Sequence, residues 1–339
     1  MTACRAPSAI SRSIHGKNRC GIAKTLWIFF TILLLSAIAA ELTAASKISD
    51  YRPVFRPFHD EAGTLLAAVR RYRNGLEDLS LVLDPYRFEF RIMASEKILS
   101  AEATGKDAWR DTPFSRALSR YTAPPHNLLN SGLRESGQPV KGVFLTADLC
   151  PSRKPLDRRF IETTASLPQK APVPLALMVT GPWIRRHEAD FAWIREQAAA
   201  GRLSITWGNH SFSHFYDPVV PSARNFLLRP GTDLTKEALS LELLLLDHGV
   251  MPSPFFRFPG LVSDMRLIEG LRDLSLLPIG SNAWLAKGEQ PKAGSVILVH
   301  GTGNEPLGIR RLYSFYREQH DAFLQGITSL LPLREAFLP

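Results

Sequence analysis

The stretch "GVFLTADL", residues 142–149, is a short apolar run bounded by turn residues, which favours a buried strand. Similar runs follow in "VPLALMVTG" at 173–181, "LSITWGN" at 203–209 and "SVILVHG" at 295–301. Helical patterns such as "PLDRRFIETTASL" and "TKEALSLELLLLDHG" lie between these runs. Strands that alternate with helices predict βαβ units and a parallel α/β sheet, either open or closed into a barrel.

Chemically capable side chains fall where these strands end. Asp148 ends the first strand, and His300 ends the last. His210 follows the third strand, and Arg257 follows the apolar run "SPFF". In βα folds, chemistry takes place at the carboxyl ends of the strands. We therefore expect a barrel to gather these four side chains on the face where the carboxyl ends of its strands meet.

A second histidine, His214, follows His210 in "WGNHSFSHFYDP", residues 207–218. Residues four apart on a helical turn face the same way, about 6 Å apart, so two neutral imidazoles can share one divalent ion. The chain has nine histidines, so this spacing also arises by chance. The alternative is a pair of histidines that are hydrogen-bonded in a loop.

Composition and charge narrow the class of protein. The chain of 339 residues is 45% hydrophobic and 22% charged, so it can bury a substantial core. The formal charge is +9, but residues 1–24 contain five basic residues and no acidic one, which leaves +4 for the remainder. This mild charge, without a basic helix or a nucleic-acid module, excludes a nucleic-acid partner.

The amino-terminal segment indicates export. The basic residues precede the uncharged run "TLWIFFTILLLSAIAA", residues 25–40, which ends in small residues. Residues 1–45 are therefore expected to form a secretory signal peptide, or else an uncleaved anchor in the inner membrane. Both place the remainder outside the cytoplasm, in the periplasm or the extracellular space. Cys4 and Cys20 precede the apolar run, so Cys150 alone remains and an internal disulfide is excluded.

Residues 46–140 are expected to form an N-terminal extension and linker whose role the sequence does not indicate. It contains a predicted helix around Glu61–Tyr72 and a predicted strand in which Phe88, Phe90 and Ile92 alternate. Residues 99–141 are polar and rich in turn residues, which predicts a loop or linker. The remaining residues, 141–339, are predicted to form the catalytic domain.

Five short segments carry a family resemblance. "LTADLCPS", "GNHSFSH", "FRFPG", "NAW" and "ILVHG" occur in that order over about residues 140–330. They resemble the five motifs of the polysaccharide deacetylase (NodB-homology, carbohydrate esterase) family, which removes N-acetyl groups from amino sugars. The resemblance implies a distorted seven-stranded (β/α) barrel and a divalent metal cofactor, zinc, with cobalt or manganese as alternatives. It also implies an acetylated polysaccharide or peptidoglycan as the substrate.

The resemblance also implies roles for individual residues. Asp148 corresponds to the catalytic base, His300 to the general acid and Arg257 to the arginine that orients the base. His210 and His214 correspond to the metal-binding histidines.

Two aromatic residues correspond to substrate-binding positions. Trp284 would line the pocket for the acetyl group, with an ordinary core aromatic as the alternative. Tyr216 lies in a loop whose backbone N–H would stabilise the oxyanion.

The first motif departs from the family pattern. Leu149 stands where the family has a metal-binding aspartate, and Cys150 stands where it has glycine. Asp148, Cys150 and Asp217 are candidates for the missing ligand. A small buried side chain is the alternative for Cys150, and a turn residue is the alternative for Asp217.

The fourth motif is also altered. Ser281 and Asn282 stand near Trp284, where the family commonly has an aspartate. This substitution predicts that Arg257 and His300 lack a charged partner.

Three functions are compatible with these residues. The first is a metal-dependent N-deacetylase, with Asp148 as base and His300 as acid. The second is a catalytically inactive relative that binds glycan, which the leucine at 149 favours. The third is a hydrolase of the same fold that acts on a different amide or ester. Because a chain without catalytic function has no chemical reason to retain both base and acid, the sequence favours an enzyme.

Overall fold

A computed structural model describes residues 48–101 and 104–338 of the chain. The predicted signal peptide or anchor at 1–45, with Cys4 and Cys20, lies outside these residues. Within the described part of the chain, no helix is both long enough and apolar enough to cross a bilayer.

The N-terminal extension is built on a four-stranded antiparallel sheet in the order β1-β2-β3-β4. Its strands are β1 (Ile48–His59), β2 (Leu65–Asn74), β3 (Glu77–Asp84) and β4 (Glu89–Ala94). Three helices follow: α1 (Ser95–Ser100), α2 (Lys106–Arg110) and α3 (Pro113–Thr122). The predicted strand is thus confirmed for Phe90 and Ile92 in β4, whereas Phe88 (φ 56°) belongs to the turn before it.

The predicted helix at Glu61–Tyr72 is wrong, because most of this segment is strand β2. Leu65 and Val69 pack into the same core cluster as Phe144 of the parallel sheet. Leu66, on the opposite face of β2, packs with Phe58. A strand that is buried on both faces reads as a continuous apolar run, and such a run is hard to distinguish from a helix by its periodicity.

The predicted loop at 99–141 is wrong in part, because it contains α2 and α3. The side chain of Thr112 accepts a hydrogen bond from the backbone N–H of Ser115, and Pro113 is the first residue of α3. A threonine cap followed by proline is a helix-start signal that was present in the sequence.

The second sheet has seven strands, all parallel, in the order β10-β11-β5-β6-β7-β8-β9. The strands are β5 (Phe144–Leu149), β6 (Val173–Val179), β7 (Leu203–Asn209), β8 (Phe255–Phe256), β9 (Leu277–Pro278), β10 (Ala283–Trp284) and β11 (Val296–His300). The sheet curls into a half-barrel that is not closed, because no strand pairing joins β9 to β10 among the described residues. The predicted distorted seven-stranded (β/α) barrel with an N-terminal extension is confirmed.

Helices connect several of the parallel strands, and the last two helices follow the final strand β11. These helices are α4 (Arg158–Ala165), α5 (Gly181–Arg186), α6 (Glu188–Ala199), α7 (Leu234–Asp247), α8 (Met265–Asp273), α9 (Pro306–Glu318) and α10 (His320–Leu324). The helices α5 and α6 are separated by a break at His187 (φ −117°, ψ 42°). The imidazole of His187 stacks on Trp183, and its Nε2 lies 2.9 Å from the carbonyl oxygen of Ser152. This contact connects the end of α5 to the loop after β5.

The side chains of β5 point alternately into two hydrophobic cores, one on each face of the sheet. Leu145 and Leu149 pack with Phe160 among the helices on one face of the sheet. Phe144 packs with Met178 on the opposite face. Because successive side chains in a strand point to opposite faces, Asp148 lies on the face of Phe144.

A buried ion pair joins the N-terminal sheet to α7. The Arg70 guanidinium, on β2, binds both carboxylate oxygens of Glu242 at 2.8 and 2.9 Å. The hydroxyl of Tyr51 donates a third hydrogen bond to Glu242 at 2.8 Å. Both charged side chains are 1% exposed, so each depends on the other for compensation of its charge.

We predict that Arg70→Met destabilises the protein, because it leaves the Glu242 carboxylate buried without its cation. The expected loss is about 3–5 kcal/mol in the free energy of unfolding, measured by urea denaturation. The neighbouring Arg71 is a matched control, since it pairs with Asp78 where the two side chains are 33% and 41% exposed. Arg71→Met should cost about 1 kcal/mol or less. Equal losses for the two variants would show that the buried pair has no special role.

Candidate active site

Strand register brings the predicted base and acid together. Asp148 of β5 lies directly beside His300 of the neighbouring strand β11. His210 immediately follows β7, and Arg257 immediately follows β8. The carboxyl ends of four different strands therefore meet around one point, as the sequence predicts.

Arg257 is the central connection of this site. It is completely buried, and its Nη1 donates to Asp148 Oδ1 at 2.7 Å and to Thr146 Oγ1 at 2.8 Å. Its remaining nitrogens donate to the carbonyl oxygens of Ile279 and Gly280 at 3.3 and 2.9 Å. The prediction that Arg257 lacks a charged partner is wrong, because Asp148 itself is that partner.

Asp148 is held as a carboxylate. Burial alone would raise the pKa of Asp148, but the nearby charges of Arg257, His210 and His300 hold it below the ordinary value. Its second oxygen, Oδ2, lies 3.5 Å from His210 Nε2. An ionised carboxylate with one oxygen fixed by arginine has the other oxygen available to accept a proton.

The orientation of His210 follows from one backbone contact. Its Nδ1 lies 2.8 Å from the carbonyl oxygen of Arg257. A carbonyl only accepts hydrogen bonds, so Nδ1 carries a proton, and Nε2 is the nitrogen that faces Asp148 and Cys150. Nε2 lies 3.6 Å from Cys150 Sγ.

His214 reaches the same place through a loop. Ser211 (φ 65°) and His214 (φ 43°) both have left-handed backbone conformations, so the expected helical turn between the histidines is wrong. The two imidazole centroids are nevertheless 4.8 Å apart. His214 is 9% exposed, and neither of its ring nitrogens makes a regular hydrogen bond within the described part of the chain. A buried imidazole whose nitrogens make no regular hydrogen bond is costly unless it binds a ligand.

Helix α7 supports the histidine loop. The carboxylate of Glu237 accepts hydrogen bonds from the backbone N–H and the hydroxyl of Ser213 at 2.7 and 2.6 Å. The side-chain amide of Asn209 donates to the carbonyl oxygen of Ala238 at 2.9 Å. Because this helix also carries Glu242, the histidine loop and the N-terminal sheet are anchored to the same element.

Gly208 leaves room for the side chain of Met178 beneath the histidine loop. Gly208 pairs with Met178 across β6 and β7, and a Cβ at Gly208 would lie 2.2 Å from the sulfur of Met178. Any larger residue would displace Met178, which explains the glycine in the "WGNH" segment.

The two unusual residues of the first motif point in opposite directions. Leu149 is fully buried in the core between the sheet and the helices, near Phe160. Cys150 lies on the side of Asp148, where its sulfur and the nearest nitrogens of His210 and His214 are all within 4.8 Å of one another. Among the described residues this is the only group of three or more His, Cys, Asp or Glu side chains close enough to hold a metal ion.

The histidines also act on the thiol. Burial would raise the pKa of Cys150, but His214 and His210 hold it well below the ordinary value. These contacts favour a thiolate, the form of cysteine that binds metal ions. The sequence leaves a small buried side chain as the alternative for Cys150, but strand alternation places residues 148 and 150 on the same face.

Asp217, another candidate ligand, forms hydrogen bonds within its own loop. Its carboxylate accepts a hydrogen bond from the backbone N–H of Val219 at 3.0 Å. Its backbone N–H and carbonyl oxygen bind the side chain of Asn225 at 3.0 and 2.6 Å.

Glu305 is a site residue that the sequence did not indicate. Its Oε2 lies 2.7 Å from His300 Nδ1, although this contact is an ion pair without regular hydrogen-bond angles. The same oxygen accepts a hydrogen bond from Trp284 Nε1 at 3.0 Å. The expectation that His300 lacks a charged partner is therefore wrong. The only signal was an acidic residue five positions after His300, before the proline that begins α9.

The charge of His300 follows from these contacts. Burial would lower the pKa of His300, but Cys150, Glu305 and Asp148 hold it well above the ordinary value. An imidazolium beside an ionised aspartate supplies an acid and a base in one site.

The two aromatic residues occupy different positions. The ring of Trp284 lies 6.1 Å from that of His300, and Lys287 Nζ lies 3.7 Å from the ring centroid of Trp284. Tyr216 is 59% exposed and stacks on Phe226, which in turn contacts His214 edge-on. Trp284 therefore lies next to the polar cluster, whereas Tyr216 reaches it only through Phe226.

No protein-family profile matches the chain. A family 4 carbohydrate esterase from Bacillus anthracis is 19% identical, with a TM-score of 0.43 over 61% of this chain and 87% of that one. A peptidoglycan deacetylase from Bacillus subtilis is 13% identical, with a TM-score of 0.41 over 59% and 90%. A family 4 pseudoenzyme from Bacillus anthracis is 12% identical, with a TM-score of 0.39 over 60% and 68%. These proteins are of the kind that the five motifs resemble.

We predict that Glu305→Gln lowers the pKa of His300, because the variant removes the carboxylate charge that stabilises the imidazolium. The amide oxygen of glutamine can still accept the hydrogen bond from Trp284, so the ring should stay in place. The measurement is an NMR titration of the histidine side chains in the presence of a chelator.

Glu289→Gln is the matched control, because Glu289 contacts Trp284 only through the backbone N–H, at 2.6 Å. This variant should leave the titration of His300 unchanged. If Glu305→Gln also left it unchanged, Glu305 would not be the group that holds the charge on His300.

Proposed function

We propose that the protein is a metal-dependent hydrolase that removes N-acetyl groups from amino sugars of a polysaccharide or peptidoglycan. The observation that carries this proposal is the meeting of Asp148, His300, His210 and His214 at one end of the sheet. Acyl transfer from an amide needs a base, an acid and a means of stabilising negative charge, and these groups supply the first two.

A divalent cation, zinc in the first place, is proposed to stabilise the negative charge. His210 presents Nε2, and His214 has two buried nitrogens without regular hydrogen bonds, so both fit the role of ligand. When bound, such an ion polarises the acetamide carbonyl and lowers the pKa of bound water.

Asp148 is proposed to take the proton from the attacking water. Arg257 fixes Oδ1 and keeps the carboxylate ionised, which leaves Oδ2 free to act as the base. The same arginine holds His210 through its carbonyl oxygen, so base and metal ligand keep a constant geometry.

His300 is proposed to give its proton to the nitrogen that leaves. Glu305 keeps the ring charged before the C–N bond breaks, and it also holds the indole of Trp284. Transfer of this proton releases a neutral amine, so the products are acetate and a free amino sugar.

The aromatic residues are proposed to bind the substrate. Trp284 borders the acid and is suited to line a pocket for the methyl group of the acetamide. Tyr216 presents an exposed ring at the edge of the histidine loop, where it can stack against a sugar.

The substrate is outside the cytoplasm if residues 1–45 act as proposed. We propose export to the periplasm or the extracellular space, with attachment to the inner membrane if the segment is not cleaved.

The alternative is a catalytically inactive relative that binds glycan. It is favoured by one observation, which is that Leu149 stands where the family has a metal-binding carboxylate. The two functions make opposite predictions for metal content and acetate release.

We predict that the full-length chain, purified in mild detergent, contains zinc by elemental analysis and releases acetate from acetylated chitooligosaccharides or peptidoglycan. His300→Ala should keep the zinc but lower kcat by about 10²- to 10⁴-fold, because it removes only the general acid. His210→Ala should lose both zinc and activity.

His320→Ala is a control for loss of a histidine, since His320 is exposed at the start of α10. It should retain zinc and activity. Glycan binding without metal or acetate release would establish the inactive relative. Zinc together with hydrolysis of a different amide or ester would establish a hydrolase with another substrate.

A further inference from the structure

We propose that Cys150 is the third protein ligand of the metal, so that a thiolate replaces the carboxylate that the family resemblance leads one to expect. The inference deepens the proposed function, because it rests on the same metal site. It concerns how this chain holds the ion and does not depend on which glycan is the substrate.

The first support is distance. Zinc ligands lie at about 2.3 Å for sulfur and about 2.0–2.1 Å for nitrogen, which in a tetrahedron separates a sulfur from a nitrogen by about 3.5 Å. Cys150 Sγ lies 3.6 Å from His210 Nε2. The nearest nitrogen of His214 lies within 4.8 Å of both atoms, so small side-chain rotations complete the triangle.

The second support is the state of the nitrogens. The contact of His210 Nδ1 with the carbonyl oxygen of Arg257 leaves Nε2 as the nitrogen that faces Cys150. His214 is more than nine-tenths buried and makes no regular hydrogen bond through either nitrogen. An unsatisfied buried imidazole beside a sulfur and a second imidazole is expected where a cation binds all three.

The third support is the direction of the strand. Leu149 occupies the position of the missing aspartate in the sequence, but its side chain lies in the core beneath α4. Cys150, one residue later, is on the face of Asp148 and the histidines. The ligand is thus displaced along the chain by one residue and not lost.

The other two candidate ligands, Asp217 and Asp148, do not belong to the three-residue group. Asp217 caps the backbone of Val219 and does not belong to the cluster. Arg257 holds Oδ1 of Asp148, and Oδ2 lies 3.5 Å from His210 Nε2, but Asp148 does not belong to the three-residue group that includes His214. With Cys150 as the ligand, Asp148 stays free to act as the base.

Two histidines and one cysteine also narrow the choice of metal. Thiolate and imidazole ligands suit zinc, whereas manganese prefers oxygen ligands. Three protein ligands leave one tetrahedral position for water or substrate, which is the arrangement of catalytic zinc sites.

The test uses cobalt(II) as a spectroscopic substitute for zinc. The full-length chain in detergent is reduced, stripped of metal and titrated with cobalt under anaerobic conditions. The expected result is visible absorption of tetrahedral cobalt together with an intense near-ultraviolet band from charge transfer between thiolate and cobalt. In Cys150→Ser the near-ultraviolet band should disappear, while Cys4 and Cys20, present in both proteins, control for other thiols.

A second variant guards against misfolding. Cys150→Asp offers a carboxylate at the same place and should bind cobalt with visible bands but without the near-ultraviolet band. Far-ultraviolet circular dichroism checks that both variants retain the fold of the parent chain.

The outcomes separate this inference from the proposed function. Cobalt bound without a thiolate band, or a band that persists in Cys150→Ser, would overturn the inference even if acetate were released. A thiolate band without acetate release from any glycan would support the inference and overturn the proposed activity. Failure of the folded parent chain to bind zinc or cobalt would overturn both.

Discussion

The buried guanidinium of Arg257 is the constraint on which the site depends. An arginine with no exposure to water must satisfy its donors within the protein, and Arg257 does so with Asp148, Thr146 and two carbonyl oxygens. Its own carbonyl oxygen fixes the tautomer of His210. One residue therefore sets the ionisation of the base and the orientation of a proposed ligand, so the two cannot vary independently.

Sequence patterns predict the parallel sheet and the position of the site, because both depend on local runs of apolar and polar residues. Apolar runs of strand length, separated by helical patterns, define parallel strands, and their carboxyl ends define the face where polar side chains gather. Asp148 and His300 were predicted to meet for this reason, and register between β5 and β11 places them side by side. The alternation that turns Leu149 into the core and Cys150 toward the histidines is likewise a local property of the strand.

Other features depend on contacts between distant segments. Glu305 approaches His300 because the loop after β11 folds back, and residue spacing does not encode the path of a loop. The segment at 61–72 forms a strand because the parallel sheet covers one face of β2 and Phe58 the other, whereas its own composition also suits a helix. The histidines converge through left-handed residues at 211 and 214, which side-chain periodicity does not reveal.

The attachment of β2 to α7 has a consequence for the lineage of this chain. Glu242 and Glu237 stand on one helix, and they face the N-terminal sheet and the histidine loop respectively. Deleting the sheet would remove the partner of Glu242 and expose the face of α7 that the sheet covers, on the helix that supports the loop. The extension is thus not a module that recombination could remove or exchange freely, and Arg70 and Glu242 can change only together.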